Sequence, residues 1–90
     1  MRHELKTWPP YFQFMVDGTK AFELRLNDRD FQMGDILYLR EYDPETQKYT
    51  GRSAEFEVTY CLFGGKRSMT AGKVALHDEF VIMSVRPKGA

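Results

Sequence analysis

Two segments of this 90-residue chain alternate strictly between apolar and polar residues, and this pattern constrains the fold more than any other feature. The segments are Ala21–Asn27 and Ser53–Phe63. Because successive side chains of a β-strand point to opposite faces, a period of two predicts strands that are buried on one side. In the first segment we expect Phe22, Leu24 and Leu26 to face the core and the charged residues to face the opposite side.

Three further segments are typical of strands. His3–Trp8 alternates imperfectly, Ile36–Glu41 is apolar on both faces, and Phe80–Arg86 is rich in β-forming residues. Turn-forming sequences separate the strands, at Asn27–Asp30, Gly34–Asp35 and Asp43–Gln47.

A short helix is predicted between the first two strands, over Tyr11–Asp17. Pro9 and Pro10 suit the first turn of a helix, where no amide donor is needed, and Gly18 provides a natural left-handed end. Apolar side chains cover nearly the whole circumference, so the helix cannot be stable alone. We expect it to plug the mouth of a small barrel, with Trp8 packed in the core.

The predicted order of one strand, one helix and four more strands indicates an α+β fold. A small mixed sheet of about five to six strands would close on itself to hide its edges. Ninety residues suffice for a single domain, 1–90, with an ordered core at about 3–86. The predicted core stripe consists of Phe12, Met15, Phe22, Leu24, Phe56 and Val58.

Charge and cysteine content narrow the classes of protein. Thirteen basic residues balance thirteen acidic ones, so a nucleic-acid partner must be bound by a local basic patch. The chain has one cysteine, no apolar run long enough to span a membrane, and no signal peptide at its start. Its two histidines, His3 and His77, fit no zinc motif. We expect a soluble cytoplasmic protein that needs no metal, cofactor or membrane.

The segment 18–25, Gly-Thr-Lys-Ala-Phe-Glu-Leu-Arg, carries the densest set of reactive side chains. If its strand lines a cleft, it presents Lys20, Glu23, Arg25, Asn27 and Arg29 to one region. Arginine fits a phosphate or a base edge, lysine is a compact cation for phosphate, and a carboxylate could orient a neighbouring guanidinium. The plain alternative is a row of solvated charges on an ordinary strand.

The chain resembles the ASCH group of PUA-like domains, and within it a small uncharacterised bacterial and phage family. The similarity rests on Gly-x-Lys-x-x-Glu-x-Arg at 18–25 and on His3–Lys6, Tyr11–Phe12, Asn27–Phe31, Gly34–Asp35 and Glu41–Pro44. The resemblance implies a PUA-like pseudo-barrel with a cleft beside the first helix. It also implies that this cleft binds RNA or a modified nucleoside.

Some ASCH relatives are amidohydrolases that act on an acetylated cytidine. They use the lysine of this motif, a threonine three residues later and a distant glutamate. Lys20 matches the lysine, but Glu23 occupies the threonine position, so the nucleophilic hydroxyl is missing. If the chain is an enzyme, Lys20 and Glu23 are its candidate catalytic residues.

Several residues outside the motif could also contact a ligand. His3 and Lys6 lie in the first strand and could border the cleft. Trp8, Tyr42 and Tyr49 are candidates for stacking on a splayed base. Trp8, next to two prolines, fits the core better, whereas Tyr42 and Tyr49 flank the predicted hairpin. Lys66 and Arg67, in a glycine-rich loop, could touch phosphate.

Three functions therefore remain open. The leading one is an RNA- or nucleotide-binding module with no chemistry of its own. The second is a nucleic-acid-directed hydrolase, either an amidohydrolase on modified cytidine or a ribonuclease. The third is a protein-interaction adaptor, since the zero net charge is unlike that of a typical basic RNA-binding protein.

Overall fold

A computed structural model describes residues 1–64 and 79–88 of the chain. In these residues the elements are β1 (Arg2–Thr7), α1 (Pro9–Val16), β2 (Phe22–Leu26), β3 (Ile36–Asp43), β4 (Lys48–Phe63) and β5 (Phe80–Pro87). The predicted order of one strand, one short helix and four more strands is confirmed. The predicted boundaries shift by a few residues, most of all in β4, which begins at Lys48 rather than at Ser53.

The five strands form one mixed sheet in the order β1-β3-β4-β5-β2. β1 runs parallel to β3, and every other neighbouring pair is antiparallel. The sheet curls like part of a barrel, so its two edge strands, β1 and β2, approach each other. The α+β class with a barrel-like sheet is therefore confirmed.

Two arginine side chains span the gap between β1 and β2. Nη2 of Arg25 donates to the carbonyl of Lys6 at 2.9 Å, and Nη1 of Arg29 donates to the carbonyl of Glu4 at 2.8 Å. These bonds satisfy edge carbonyls that a neighbouring strand would otherwise bind. We call the gap bridged by Arg25 and Arg29 the seam.

The core lies between the inner face of the sheet and α1. Phe12 and Met15 are the buried side chains of the helix, and Phe31 enters the core from the loop after β2. The helix ends as predicted, because Gly18 adopts the left-handed φ of 85°. The other buried apolar residues are Leu5, Leu37, Leu39, Phe56, Val58, Cys61, Val81, Met83 and Val85.

The predicted orientation of β2 is wrong. Phe22, Leu24 and Leu26 are 46%, 50% and 48% exposed, whereas Glu23 is only 3% exposed. The alternation identifies two faces but not which one is inside. Glu23 occupies the inner face because Lys20 and Arg25 neutralise and hydrogen-bond its carboxylate there.

The helix is also less buried than its apolar composition predicted. Tyr11, Phe14 and Val16 are exposed, and Trp8 is 53% exposed rather than packed in the core. Because α1 lies across one end of the sheet, only the side that carries Phe12 and Met15 meets the core. The remaining apolar side chains are left on the surface.

Among residues 1–64 and 79–88, no helix is long and apolar enough to cross a membrane. Cys61 is buried and forms no disulfide.

Candidate functional site

A cleft of about 480 Å³ opens between the end of β1, the start of α1 and β2. Its polar lining consists of Lys6, Thr7, Lys20, Glu23 and Arg25, and its apolar lining consists of Trp8, Tyr11, Phe22 and Leu24. Four of the residues that the sequence predicted for the site, namely Lys6, Lys20, Glu23 and Arg25, are thus brought together.

The carboxylate of Glu23 lies at the floor of the cleft. One of its oxygens, Oε1, accepts from Nζ of Lys20 at 3.0 Å, and Oε2 accepts from Nε of Arg25 at 2.8 Å. The turn after α1 positions the lysine, since the backbone N–H of Lys20 donates to the carbonyl of Phe14. A buried carboxylate that is paired on both oxygens is tolerated, and it fixes the two cations in place.

Arg25 connects this floor to the opposite strand. Its Nη2 group donates to the carbonyl of Lys6 and, at 3.4 Å, to Oγ1 of Thr7. The side chains of Lys20 and Arg25 keep about a quarter of their surface exposed, 23% and 26%. Two cations and one carboxylate leave a positive charge at the floor, which favours an anionic ligand.

The walls of the cleft are apolar and aromatic. Trp8 and Tyr11 come from the start of α1, and Phe22 and Leu24 come from the exposed face of β2. Nζ of Lys20 lies 4.9 Å from the ring centroid of Phe22. A flat ring with a polar edge and an attached anion fits apolar walls above a charged floor.

The sequence analysis missed Thr7, Tyr11, Phe22 and Leu24, and it preferred a core position for Trp8. Trp8, Phe22 and Leu24 had been taken for core residues because they are large and apolar. The available signal was the pairing of Glu23 with Lys20 and Arg25 at short spacing, since a carboxylate with two cationic neighbours can be buried. Burial of Glu23 places Phe22 and Leu24 on the surface.

Asn27 and Arg29 follow the cleft residues in the sequence and lie outside the cleft. Arg29 lines a second concavity of about 260 Å³ that follows the seam and shares Leu24 and Arg25 with the cleft. Asn27 has a structural bond, because its Oδ1 accepts from the backbone N–H of Phe31 at 2.9 Å. Asn27 lines a third concavity of about 320 Å³. Neither residue lines the cleft, so the predicted single cluster is divided among three places.

His3 is buried inside the sheet and does not line the cleft. Its Nε2 lies 2.7 Å from Oδ2 of Asp35, and its ring packs edge-on against Phe31 at 4.7 Å. Burial raises the pKa of Asp35, but bonds from His3, the N-terminal ammonium and the N–H of Gln32 outweigh it, so this pKa is lowered. The pair has a structural role.

Tyr42 and Tyr49 are paired across β3 and β4, and their rings meet at 5.2 Å in a T-shaped contact. Nζ of Lys6 lies 4.4 Å from the Tyr42 centroid, and the Arg40 guanidinium lies 3.8 Å from that of Tyr49. Both rings therefore already contact cations. They lie outside the cleft lining and reach it only through Lys6.

The candidate catalytic pair, Lys20 and Glu23, forms an ion pair, in which Nζ of Lys20 donates to Oε1 of Glu23 at 3.0 Å. No group of three potential metal ligands occurs within residues 1–64 and 79–88. Lys66, Arg67 and His77, which the sequence analysis considered, lie outside the described residues.

Comparison with known proteins adds a family and a phage relative. A family described as "Domain of unknown function (DUF3850)" matches residues 2–85. An "Uncharacterized 12.9 kDa protein in GpA 3'region" of Escherichia phage P2 is 37% identical over 57 residues, which are 63% of this chain. The match covers about half of that relative, 50% of its length. Since the family match extends over almost the whole chain, the chain belongs to the DUF3850 family.

Proposed function

We propose that the chain binds RNA or a nucleotide in the cleft between β1, α1 and β2. The observation that carries the proposal is the Lys20–Glu23–Arg25 ion-pair cluster at the floor of a cleft with aromatic walls. A base would stack against Trp8, Tyr11 or Phe22, and its phosphate would approach Lys20 and Arg25.

The chemistry of the lining supports this ligand class. The cleft contains three cations and one carboxylate, although the chain as a whole has no net charge. This is the local basic patch that a nucleic-acid partner requires. An unphosphorylated apolar ligand would leave the net positive charge of the cleft without a counterion.

The ion pair between Lys20 and Glu23 favours a binding function over a hydrolase. The amine of Lys20 is paired with Glu23 at 3.0 Å, and the hydroxyl of Thr7 is bonded to Arg25. Neither group is poised to attack a carbonyl or phosphorus atom.

The proposal extends to the fold type and the compartment. We assign the barrel-like sheet to the PUA-like fold of the ASCH group, supported by the cleft beside the first helix and the Gly-x-Lys-x-x-Glu-x-Arg motif at its floor. A cytoplasmic location suits an RNA ligand and a buried cysteine, Cys61, that forms no disulfide.

The test measures binding of fluorescent single-stranded RNA and of mononucleotides by anisotropy and calorimetry at low salt. Trp8→Ala should weaken binding by about 5- to 150-fold, because stacking on an aromatic side chain contributes about 1–3 kcal/mol per base. Met33→Ala is the matched control, since Met33 is 61% exposed but does not line the cleft.

Arg25→Gln should lower the salt dependence of RNA binding by about one unit. Absence of RNA and nucleotide binding at low salt, or equal binding by the Trp8 and Met33 variants, contradicts the proposal. In a parallel assay, release of acetate from acetylcytidine that Lys20→Ala abolishes would establish the hydrolase instead.

A further inference from the structure

The outer face of β2, β5 and β4 is apolar over three rows of paired residues. Strand register aligns Phe22, Ser84 and Tyr60 in the first row and Leu24, Ile82 and Leu62 in the second, and it aligns Leu26 with Phe80 in the third. We call the seven apolar members of these rows the apolar face: Phe22, Leu24, Leu26, Tyr60, Leu62, Phe80 and Ile82.

This face is large for a chain of this size. Its three β2 residues and Tyr60 are about half exposed, and the others are partly buried. Together they present an area on the order of 500 Å², which is in the range that marks interaction sites on soluble proteins. The three rows contain no charged residue.

Basic side chains lie near one end of the apolar face and acidic side chains near the other. Lys20 lies at the end with the first row, with its ammonium 4.9 Å from the Phe22 ring, and Arg86 follows Ser84 by two residues on the same face of β5. At the other end lie Glu79, whose carbonyl accepts from the N–H of Asn27, and Asp28, which pairs with Arg29 at 3.9 Å but keeps 68% of its side chain exposed.

We propose that, in the absence of ligand, a second copy of this chain covers the apolar face. Because Phe22 and Leu24 also line the cleft, dimer formation and ligand binding compete for these two residues. A two-fold axis perpendicular to the strands would stack the two sheets face to face, with the acidic end of each copy over the basic end of the other. Lys20 and Arg86 already pair with Glu23 and Glu57, but the Arg86 side chain is 68% exposed and can bind a second carboxylate.

The expected affinity follows from the size of the face. Two copies would bury about 1,000 Å² of apolar surface, near the lower limit for a specific interface. The zero net charge removes the overall repulsion between copies. A reversible dimer with a micromolar dissociation constant is expected.

Sedimentation equilibrium between about 1 and 300 µM, a range that brackets micromolar affinity, tests the proposal on the full chain without RNA. The wild type should change from monomer mass to dimer mass over this range. Leu26→Glu should raise the dissociation constant at least tenfold, because it would bury an unpaired carboxylate. Met33→Glu makes the same kind of change at an exposed site outside the face and should leave the constant unchanged.

A second variant tests the dimer independently in case Leu26→Glu does not fold. Asp28→Lys alters an exposed residue and should also weaken the dimer, because it places like charges at both ends of the interface. Thermal unfolding by circular dichroism checks that each variant is folded. A monomer at every concentration, assembly beyond a dimer, or unchanged association of folded Leu26→Glu and Asp28→Lys overturns the proposal.

Discussion

The Glu23 carboxylate determines the geometry of the cleft. Its two oxygens hold Lys20 and Arg25 at 3.0 and 2.8 Å, and Arg25 in turn reaches across to Lys6 and Thr7. Removal of this one charge would leave two cations facing each other over an acceptor of reduced strength. Both the fold and the charge of the cleft therefore depend on the same side chain.

Glu23→Gln should lower the free energy of unfolding by about 2 kcal/mol, because it replaces a buried, doubly paired carboxylate with a neutral amide. Urea denaturation measures the change. Glu45→Gln in the exposed hairpin turn is the control and should have an effect below about 0.5 kcal/mol. Equal stability of the two variants would show that the Glu23 ion pairs contribute nothing net.

Asp35 should make stability depend on acid pH. Its pKa lies below the ordinary 3.8 because the bonds from His3, the N-terminus and Gln32 outweigh burial. A lowered pKa in the folded state means that the carboxylate stabilises the fold above its ordinary pKa. That stabilisation is lost as pH falls through the lowered value, below about pH 4.

Denaturation at a series of pH values should therefore show that the free energy of unfolding falls more steeply toward acid pH for the wild type than for Asp35→Asn. Asp28→Asn, at an exposed position, should behave like the wild type. Parallel acid profiles for the wild type and Asp35→Asn would rule out Asp35 as the source of the slope.

At the scale of elements, the sequence predicted which segments form strands and the helix but not which way each one faces. The alternation in β2 is regular, yet its apolar residues lie outside and Glu23 lies inside. Periodicity does not indicate which face of a strand is buried when a charged side chain finds partners in the interior. That error hid two of the four wall residues, Phe22 and Leu24. The charged residues Lys6, Lys20, Glu23 and Arg25 were predicted.

Phe12 should anchor α1 to the sheet. It is fully buried, whereas Phe14 on the same helix is exposed. Phe12→Ala should cost about 3–5 kcal/mol of unfolding free energy by leaving a cavity, and Phe14→Ala should cost less than about 1 kcal/mol. Urea titrations of the two variants give a direct comparison, and a similar loss in both would show that the helix is not held by its inner side.

At the scale of the whole molecule, the balanced charge and the apolar outer face both favour self-association. The calculated isoelectric point is about 6.7, so repulsion between copies is smallest near neutral pH. The sequence predicted this balance and the barrel-like class. It could not predict the apolar face, because that face depends on the inverted β2 and on the register of β2, β5 and β4.

Self-association should accordingly be strongest near pH 6.7 and weaker at pH values about two units away on either side, where both copies carry the same net charge. Sedimentation velocity at fixed concentration and ionic strength measures it. Added salt should reduce the difference between pH values, because it screens the repulsion. An association that rises steadily with pH would indicate a single titrating group instead.

The seam allows small shifts of β2 relative to β1, which a fully hydrogen-bonded barrel does not allow. Backbone ladders between strands fix the register in steps of whole residues, whereas the guanidinium groups of Arg25 and Arg29 can follow small sliding or tilting of β2 along β1. Relatives could therefore widen or narrow the opening by exchanging the residue at position 29, with Arg25, its bond to Glu23 and every strand pairing kept. Ligand size would then evolve independently of the rest of the scaffold.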